Sequence, residues 1–249
     1  MKFDEIKRVG MLGGGVMGSG IAQSVVLVGK PVIVRDISED ALTKTKQIIE
    51  EGRYGLGTGV ERGKIESGAA EQARGNLSYT TEFEDLADCD LVIEAIPETL
   101  ELKQDLFGDL QDLLRPESIL ASNTSGFPIA DVGLKVTQKD RLIGMHWFSP
   151  ANVMKAVEVI VTEDTSEETA QTLYDLCDAM GKVTVKVNDR VGTYGFVGNR
   201  IYSEMIKAAK VLVEDGIVNE EDMNAVMRYG FGWPVGPTEM VRGASSGWT

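Results

Sequence analysis

Apolar runs and charged, helically spaced stretches alternate along this chain. Residues 6–12 (Ile-Lys-Arg-Val-Gly-Met-Leu), 31–36 (Pro-Val-Ile-Val-Arg-Asp), 77–80, 90–96 (Asp-Leu-Val-Ile-Glu-Ala-Ile) and 118–121 read as strands, bounded by Gly, Pro, Asn and Asp. The 90–96 run is apolar at its centre, as a strand covered on both faces of a parallel sheet must be. Between the first two runs, Ile21, Ala22, Val25, Val26 and Val28 recur at helical spacing until Gly29 and Lys30 end the element. Residues 39–73 are helical and charged, with a glycine-rich interruption at 52–59, which predicts a helix–loop–helix insertion projecting from the sheet. A helix is expected over 100–114, before Arg115-Pro116. Another is expected over 165–180, with Thr165 and Ser166 as caps, Glu167 and Glu168 in its first turn and Gly181 as its stop. Residues 182–187 make a last strand. Segment 188–195 is turn-rich, and beyond it the texture becomes helical: 196–215, 220–229, a Gly/Pro link over 230–237 and a short run to Arg242.

The stretch 142–161 organises this pattern. It holds His146, the one histidine of the 249 residues, at the end of an apolar run. Histidine is the side chain that titrates near neutral pH without a large environmental shift, so it is the obvious proton acceptor. Glu158 sits inside Val157, Val159, Ile160 and Val161, where a carboxylate is costly unless a donor meets it. Fully extended, the intervening residues would hold the two groups roughly 40 Å apart. Ser149-Pro150-Ala151-Asn152 is a turn signal that folds the second segment back on the first. On spacing alone, a structural contact closing a turn and a catalytic acid–base pair are both open readings.

Residues 13–18, Gly-Gly-Gly-Val-Met-Gly, match G-x-G-x-x-G. A strand precedes the hexamer, a helix follows it, and the next strand ends in Asp36. This is the context in which glycines let the backbone approach a pyrophosphate, a helix N-terminus faces its charge and the acid takes ribose hydroxyls. An acid at that place repels a 2′-phosphate, so NAD is favoured over NADP. The 118–121 strand delivers Ser122-Asn123-Thr124-Ser125-Gly126 at its carboxyl end. Ser125 lacks a neighbouring base and a G-x-S-x-G elbow, so it is no hydrolytic nucleophile; a substrate hydrogen bond and a cap for the helix after Phe127-Pro128 stay open, the cap being the local preference. Arg53, Arg62, Lys64 and Arg74 can either meet phosphates of a large ligand or form a solvated face.

A net charge of −14 argues against nucleic acid and anionic membranes as partners. No apolar run reaches the length of a membrane span. Cys89 and Cys177 stand alone and read as reduced, buried thiols of a cytoplasmic chain, and no metal site is expected.

In combination these motifs resemble the L-3-hydroxyacyl-CoA dehydrogenase family. The resemblance is carried by 13–18 with the following Ser-Gly-Ile-Ala-Gln, by Leu-Val-Ile-Glu-Ala-Ile-Pro-Glu over 91–98 and by Ala-Ser-Asn-Thr-Ser over 121–125. It continues through Gly-Met-His-Trp-Phe-Ser-Pro over 144–150, Val-Met-Lys-Ala-Val-Glu-Val over 153–159, Gly-Phe-Val-Gly-Asn-Arg over 195–200 and Val-Gly-Pro-Thr-Glu over 235–239, in family order. It implies a Rossmann-type doubly wound α/β domain over 1–188, mostly parallel and bearing the helix–loop–helix insertion, and a small all-α domain over 189–249. It further implies NAD-dependent oxidation of a 3-hydroxyacyl-CoA by a cytoplasmic homodimer. In that family's terms His146 is the general base, Glu158 its orienting carboxylate, and Ser125 and Asn199 hydrogen-bond the reacting substrate. Gly13, Gly15, Val16, Met17, Gly18, Asp36, Glu98, Lys103, Asn123 and Ser149 fall at cofactor positions.

Departures accompany the resemblance. Ser149 stands where the family usually has Asn, and Gly126 where a Ser usually follows the catalytic serine. Segment 190–195 (Arg-Val-Gly-Thr-Tyr-Gly) lacks the usual proline and is slightly longer. The insertion does not reproduce the family's CoA-contacting Ser and Lys. The family's helical domain normally runs on past the position of Thr249, with helices that complete the dimer interface and cover the acyl pocket. A 3-hydroxyacid dehydrogenase of the β-hydroxyacid type, with Lys207 or Lys210 as catalytic lysine, and an inactive NAD-binding relative are the rival readings.

Overall fold

The computed structural model describes residues 1–240. The chain divides into two compact units, Met1–Tyr194 and the residues from Gly195 on. Segment 189–194 stays with the first unit, where the Asp189 carboxylate accepts from the Ala130 amide at 2.8 Å.

The β-branched runs of the first unit form one sheet, eight-stranded among the described residues. Its strands are β1 (Val9–Leu12), β2 (Val32–Arg35), β3 (Leu77–Thr80), β4 (Leu91–Glu94), β5 (Ile119–Ser122), β6 (Leu142–Trp147), β7 (Ala156–Val161) and β8 (Val183–Asn188), in the order β3-β2-β1-β4-β5-β6-β7-β8. β1 to β6 are all parallel, β7 runs antiparallel to β6, and β8 is parallel to β7. The winding runs outward from β1 to β3 and resumes on the other side of β1 with β4. That reversal opens a crevice at the carboxyl ends of β1 and β4, the place where doubly wound sheets bind ligands.

Helices fill the crossovers. α1 (Val16–Leu27) follows β1, α2 (Glu39–Glu51), α3 (Leu56–Glu61) and α4 (Ser67–Gly75) join β2 to β3, and α5 (Leu100–Leu113) joins β4 to β5. α6 (Ile129–Val132) precedes β6, and α7 (Glu167–Ala179) joins β7 to β8. Local chemistry sets their starts. Ser38 accepts from the Ala41 amide ahead of Glu39 and Asp40, and Ser166 accepts from the Thr169 amide ahead of Glu167 and Glu168.

Alternation along the strands separates two faces. Met11, Ile93, Ala121, Met145, Trp147, Val157 and Val159 belong to one core with Ile21, Val25 and Val26 of α1 and Leu173 and Leu176 of α7. Glu94, Ser122, His146 and Glu158 alternate with these residues and so point to the opposite face. There α6 closes in, and a Cβ at Gly144 would lie 2.7 Å from Ile129 Cδ1.

Two expectations are corrected. The segment between β2 and β3 is three helices rather than helix–loop–helix, because the glycine-rich stretch itself winds into α3. It also packs on the main core through Ile49, Leu56, Ala70 and Ala73 instead of projecting away.

The second unit is helical: α8 (Val197–Glu214), α9 (Glu220–Ala225) and one π-helical turn over Val226–Gly230. The Asn219 side chain caps α9 by accepting from the Asp222 amide. The expected run to Arg242 ends outside the described residues.

Candidate active site

The fingerprint glycines occupy the switch point, each for a different reason. Gly13 has φ +86°, and a Cβ there would lie 2.6 Å from the Ala95 carbonyl oxygen just past β4. A Cβ on Gly18 would lie 1.8 Å from the Gly13 carbonyl oxygen, so α1 can approach the turn this closely only without one. Gly15 has nothing within 4 Å of its Cβ position. This is an open cradle at the N-terminus of α1, whose first turn contains no acid to neutralise the helix dipole. Val16 is exposed and Met17 half-buried beside it. The Asp36 carboxylate leaves β2 and accepts from the Gly14 amide at 2.7 Å and from the Ile37 amide at 2.7 Å, which fixes it at the rim of the cradle. A tight turn, open space over the second glycine, close helix packing at the third and a rim carboxylate together fit an adenine dinucleotide lacking a 2′-phosphate.

The ends of β4 and β5 carry a buried polar cluster. Glu94 and Ser122 are register partners, and Ser122 Oγ donates to Glu94 Oε2 at 2.7 Å. Lys103 of α5, 1% exposed, donates to Glu94 Oε1 at 2.5 Å and lies 3.2 Å from Glu98 Oε2. The other Glu98 oxygen accepts from Thr124 Oγ1 (2.7 Å), the Ser125 amide (2.7 Å) and Ser125 Oγ (2.9 Å). Burial pushes the Glu98 carboxyl up, but the Thr124 hydrogen bond, the Lys103 charge and the Ser125 donors outweigh it and hold the group below its ordinary value. Ser125 does not cap the following helix: Pro128 holds that position in α6, and both the amide and the hydroxyl of Ser125 are directed to Glu98. Tyr194 Oη lies 2.9 Å from Ser125 Oγ.

β6 and β7 bring the distant pair together. His146 and Glu158 are directly opposed across the antiparallel ladder, where cross-strand Cβ atoms lie about 5 Å apart. His146 Nδ1 is 2.7 Å from Glu158 Oε2, with the two residues 5% and 2% exposed. An ionised carboxylate only accepts, so Nδ1–H donates to Glu158, and in the neutral ring this leaves Nε2 as the basic nitrogen. The Asn123 side-chain oxygen accepts from the Trp147 amide at 2.9 Å, which ties the end of β5 to the residue after His146. The Phe148 ring lies 4.8 Å from the imidazole, and Ser149 is exposed just beyond. Three inter-strand steps, about 14 Å, separate β1 from β6, and Asp36, Glu94, Ser122, Asn123 and His146 all sit at carboxyl ends of strands, with Glu158 on the antiparallel strand beside them.

Asn199 belongs to the second unit, in the first turn of α8. Lys207 makes a surface pair with Glu204 at 2.7 Å, and Arg74 makes one with Glu50 at 2.6 Å. Glu94, Thr124 and Tyr194 were missed by sequence reasoning. Glu94 was visible as an acid inside an apolar strand, and Tyr194 lies in the segment that departs from the family pattern. Among the described residues no three His, Cys, Asp or Glu side chains converge as a metal site, and no helix is long and apolar enough to cross a membrane.

Known proteins resemble this chain over most of its length. Residues 8–190 match the family description "3-hydroxyacyl-CoA dehydrogenase, NAD binding domain", and residues 195–248 match "3-hydroxyacyl-CoA dehydrogenase, C-terminal domain". The chain is 39% identical over 234 residues to a probable 3-hydroxybutyryl-CoA dehydrogenase of Deinococcus radiodurans, covering 94% of this chain and 82% of the relative. It is 38% identical to the mitochondrial hydroxyacyl-coenzyme A dehydrogenase of Rattus norvegicus, covering 95% and 75%. Among solved structures, a (S)-3-hydroxybutyryl-CoA dehydrogenase from Ralstonia eutropha superposes with a TM-score of 0.88 at 33% identity, covering 94% of this chain and 80% of that one.

Proposed function

Since the chain belongs to the 3-hydroxyacyl-CoA dehydrogenase family, we propose that it oxidises the 3-hydroxyl of an L-3-hydroxyacyl-CoA to the 3-ketoacyl-CoA, and reduces the ketone in reverse. The single observation that supports this most is the buried His146–Glu158 pair at 2.7 Å on the carboxyl side of a sheet whose switch point holds a dinucleotide cradle.

Oxidising a secondary alcohol removes a hydride from carbon and a proton from oxygen. If the hydride leaves first, a cation forms; if the proton leaves first, a high-energy alkoxide forms. NAD, when bound, supplies the two-electron acceptor. His146 supplies the other half of the reaction, Nε2 taking the hydroxyl proton as the C3–O bond becomes a carbonyl. Glu158 holds the ring in the tautomer that leaves Nε2 unprotonated and stabilises the imidazolium that results. Ser125 directs a hydrogen bond to the same 3-oxygen. Gly13, Gly15, Val16, Met17, Gly18 and Asp36 hold the adenosine and pyrophosphate half. Glu98, Lys103, Asn123 and Ser149 would serve the nicotinamide half, Lys103 by pairing with Glu94 and Glu98.

The reading extends to a cytoplasmic homodimer joined through the helical unit, acting in fatty-acid β-oxidation. Cys89 and Cys177 are both buried and unbridged, and burial pushes their thiols up to about 12, so neither is a reactive thiolate. Ile201, Val211 and Leu212, exposed on α8, support the dimer. Light scattering across a dilution series tests that point.

Activity is tested by following NADH absorbance with acetoacetyl-CoA. We expect turnover by the native chain and a loss of about a hundredfold or more in His146→Gln, with NADH affinity unchanged. Full turnover in His146→Gln would remove the imidazole from the chemistry.

A further inference from the structure

A phenol stands against the candidate substrate-binding serine. Tyr194 Oη lies 2.9 Å from Ser125 Oγ and 3.4 Å from Glu98 Oε1, and its ring meets Phe127 edge-on, 5.3 Å between centroids at 81°. The residue is 58% exposed, so burial alone does not hold it there. Proton bookkeeping sets the direction of the bond. In this arrangement Ser125 Oγ gives its one proton to Glu98 Oε1, which can only accept. The Tyr194 proton has two acceptors in reach, Glu98 Oε1 at 3.4 Å and Ser125 Oγ at 2.9 Å, and with the serine proton on Glu98 the shorter contact has Tyr194 as donor to the serine oxygen. Glu98 Oε1 also takes protons from Thr124 Oγ1 and the Ser125 amide, so it is well supplied without the serine.

We infer that Tyr194 is a positioning residue for the reaction proposed above, on which this inference rests. Its hydroxyl occupies a lone pair of Ser125 Oγ and thereby fixes the serine rotamer. The serine proton can then turn from Glu98 to the 3-oxygen of the substrate without the oxygen itself moving. A hydroxyl that accepts one hydrogen bond is polarised into a better donor, so Tyr194 strengthens the Ser125 contact as charge develops on the 3-oxygen. The phenol acts through the serine and touches no reacting atom. The edge-on contact with Phe127 aims the ring.

The test uses the full chain and four proteins: native, Tyr194→Phe, Ser125→Ala and the double variant. Phenylalanine keeps the contact with Phe127 and removes only the hydroxyl. With acetoacetyl-CoA and NADH we expect Tyr194→Phe to lower kcat by about fivefold to twentyfold, with KM for acetoacetyl-CoA within about twofold and NADH affinity unchanged. In the Ser125→Ala background the same change should alter kcat by less than about twofold, because the group through which the phenol acts is gone. A kcat for Tyr194→Phe within twofold of native overturns the inference, as does an equal loss in both backgrounds. His146→Gln, run alongside, separates the two levels. If native turns over and His146→Gln does not, an unaffected Tyr194→Phe removes only this role; if native is inert, both readings fall.

Discussion

His146 and Glu158 form a pair whose value depends on both members. In the register of β6 and β7 they are opposed, and the 2.7 Å bond meets the need each has for a partner in a buried position. Glu158→Gln tests the carboxylate separately from the ring. The amide oxygen still accepts from Nδ1–H, but no negative charge faces the developing imidazolium, so kcat should fall by about a hundredfold while KM changes little. Glu98 makes a different prediction, about pH. Its carboxyl is held below its ordinary value, so as pH falls the unfolded chain takes up the proton first. The stabilisation is complete above the ordinary carboxylate value and is lost as pH falls through the lower folded value. Glu98→Gln should therefore flatten the dependence of Tm on pH below the ordinary carboxylate value of about 4.5, read by thermal denaturation as pH is lowered. An unchanged slope would show that the Thr124 and Ser125 donors do not favour the charged form.

At the scale of elements, the turn from β1 into α1 and the seat of α5 on β4 carry the site. A side chain at Gly18 meets backbone, not a flexible neighbour, 1.8 Å from the Gly13 carbonyl oxygen. Gly18→Ala should cost about 1–3 kcal/mol of stability in urea unfolding and weaken NADH binding by displacing the cradle. Lys103 joins α5 to β4 by a wholly buried pair with Glu94, at 1% and 0% side-chain exposure. Lys103→Met leaves that carboxylate buried without its counter-charge and should cost about 3–5 kcal/mol. The antiparallel β6–β7 hairpin was legible from Ser149-Pro150 and the apolar run after it, because turn residues and β-branched runs act locally. The winding of the glycine-rich stretch into α3 was not. Glycine ordinarily weakens a helix, and here the packing of Leu56 against the main core overrides that preference.

For the whole molecule, the ligand that the first unit is built to hold should also stabilise it. NADH at about a hundredfold its dissociation constant should add about 2.7 kcal/mol. NADPH at the same concentration should raise Tm less, because Asp36 at the cradle rim opposes a 2′-phosphate. Equal shifts from the two cofactors would remove Asp36 as the selector.

Periodicity determined the alternation of strands and helices and the fingerprint turn with its terminal acid, since each depends on neighbours a few residues apart. The lone histidine and the acid inside an apolar run were also plain, because their cost is visible in one dimension. Tertiary structure decided which polar groups share a face. Glu94, Ser122 and His146 sit on three adjacent strands, far apart in sequence, and only the order of those strands brings them to one edge. The same holds for Tyr194, whose hydroxyl meets Ser125 across 69 positions of chain. Contacts at that separation depend on how the sheet is wound, and no local pattern records them.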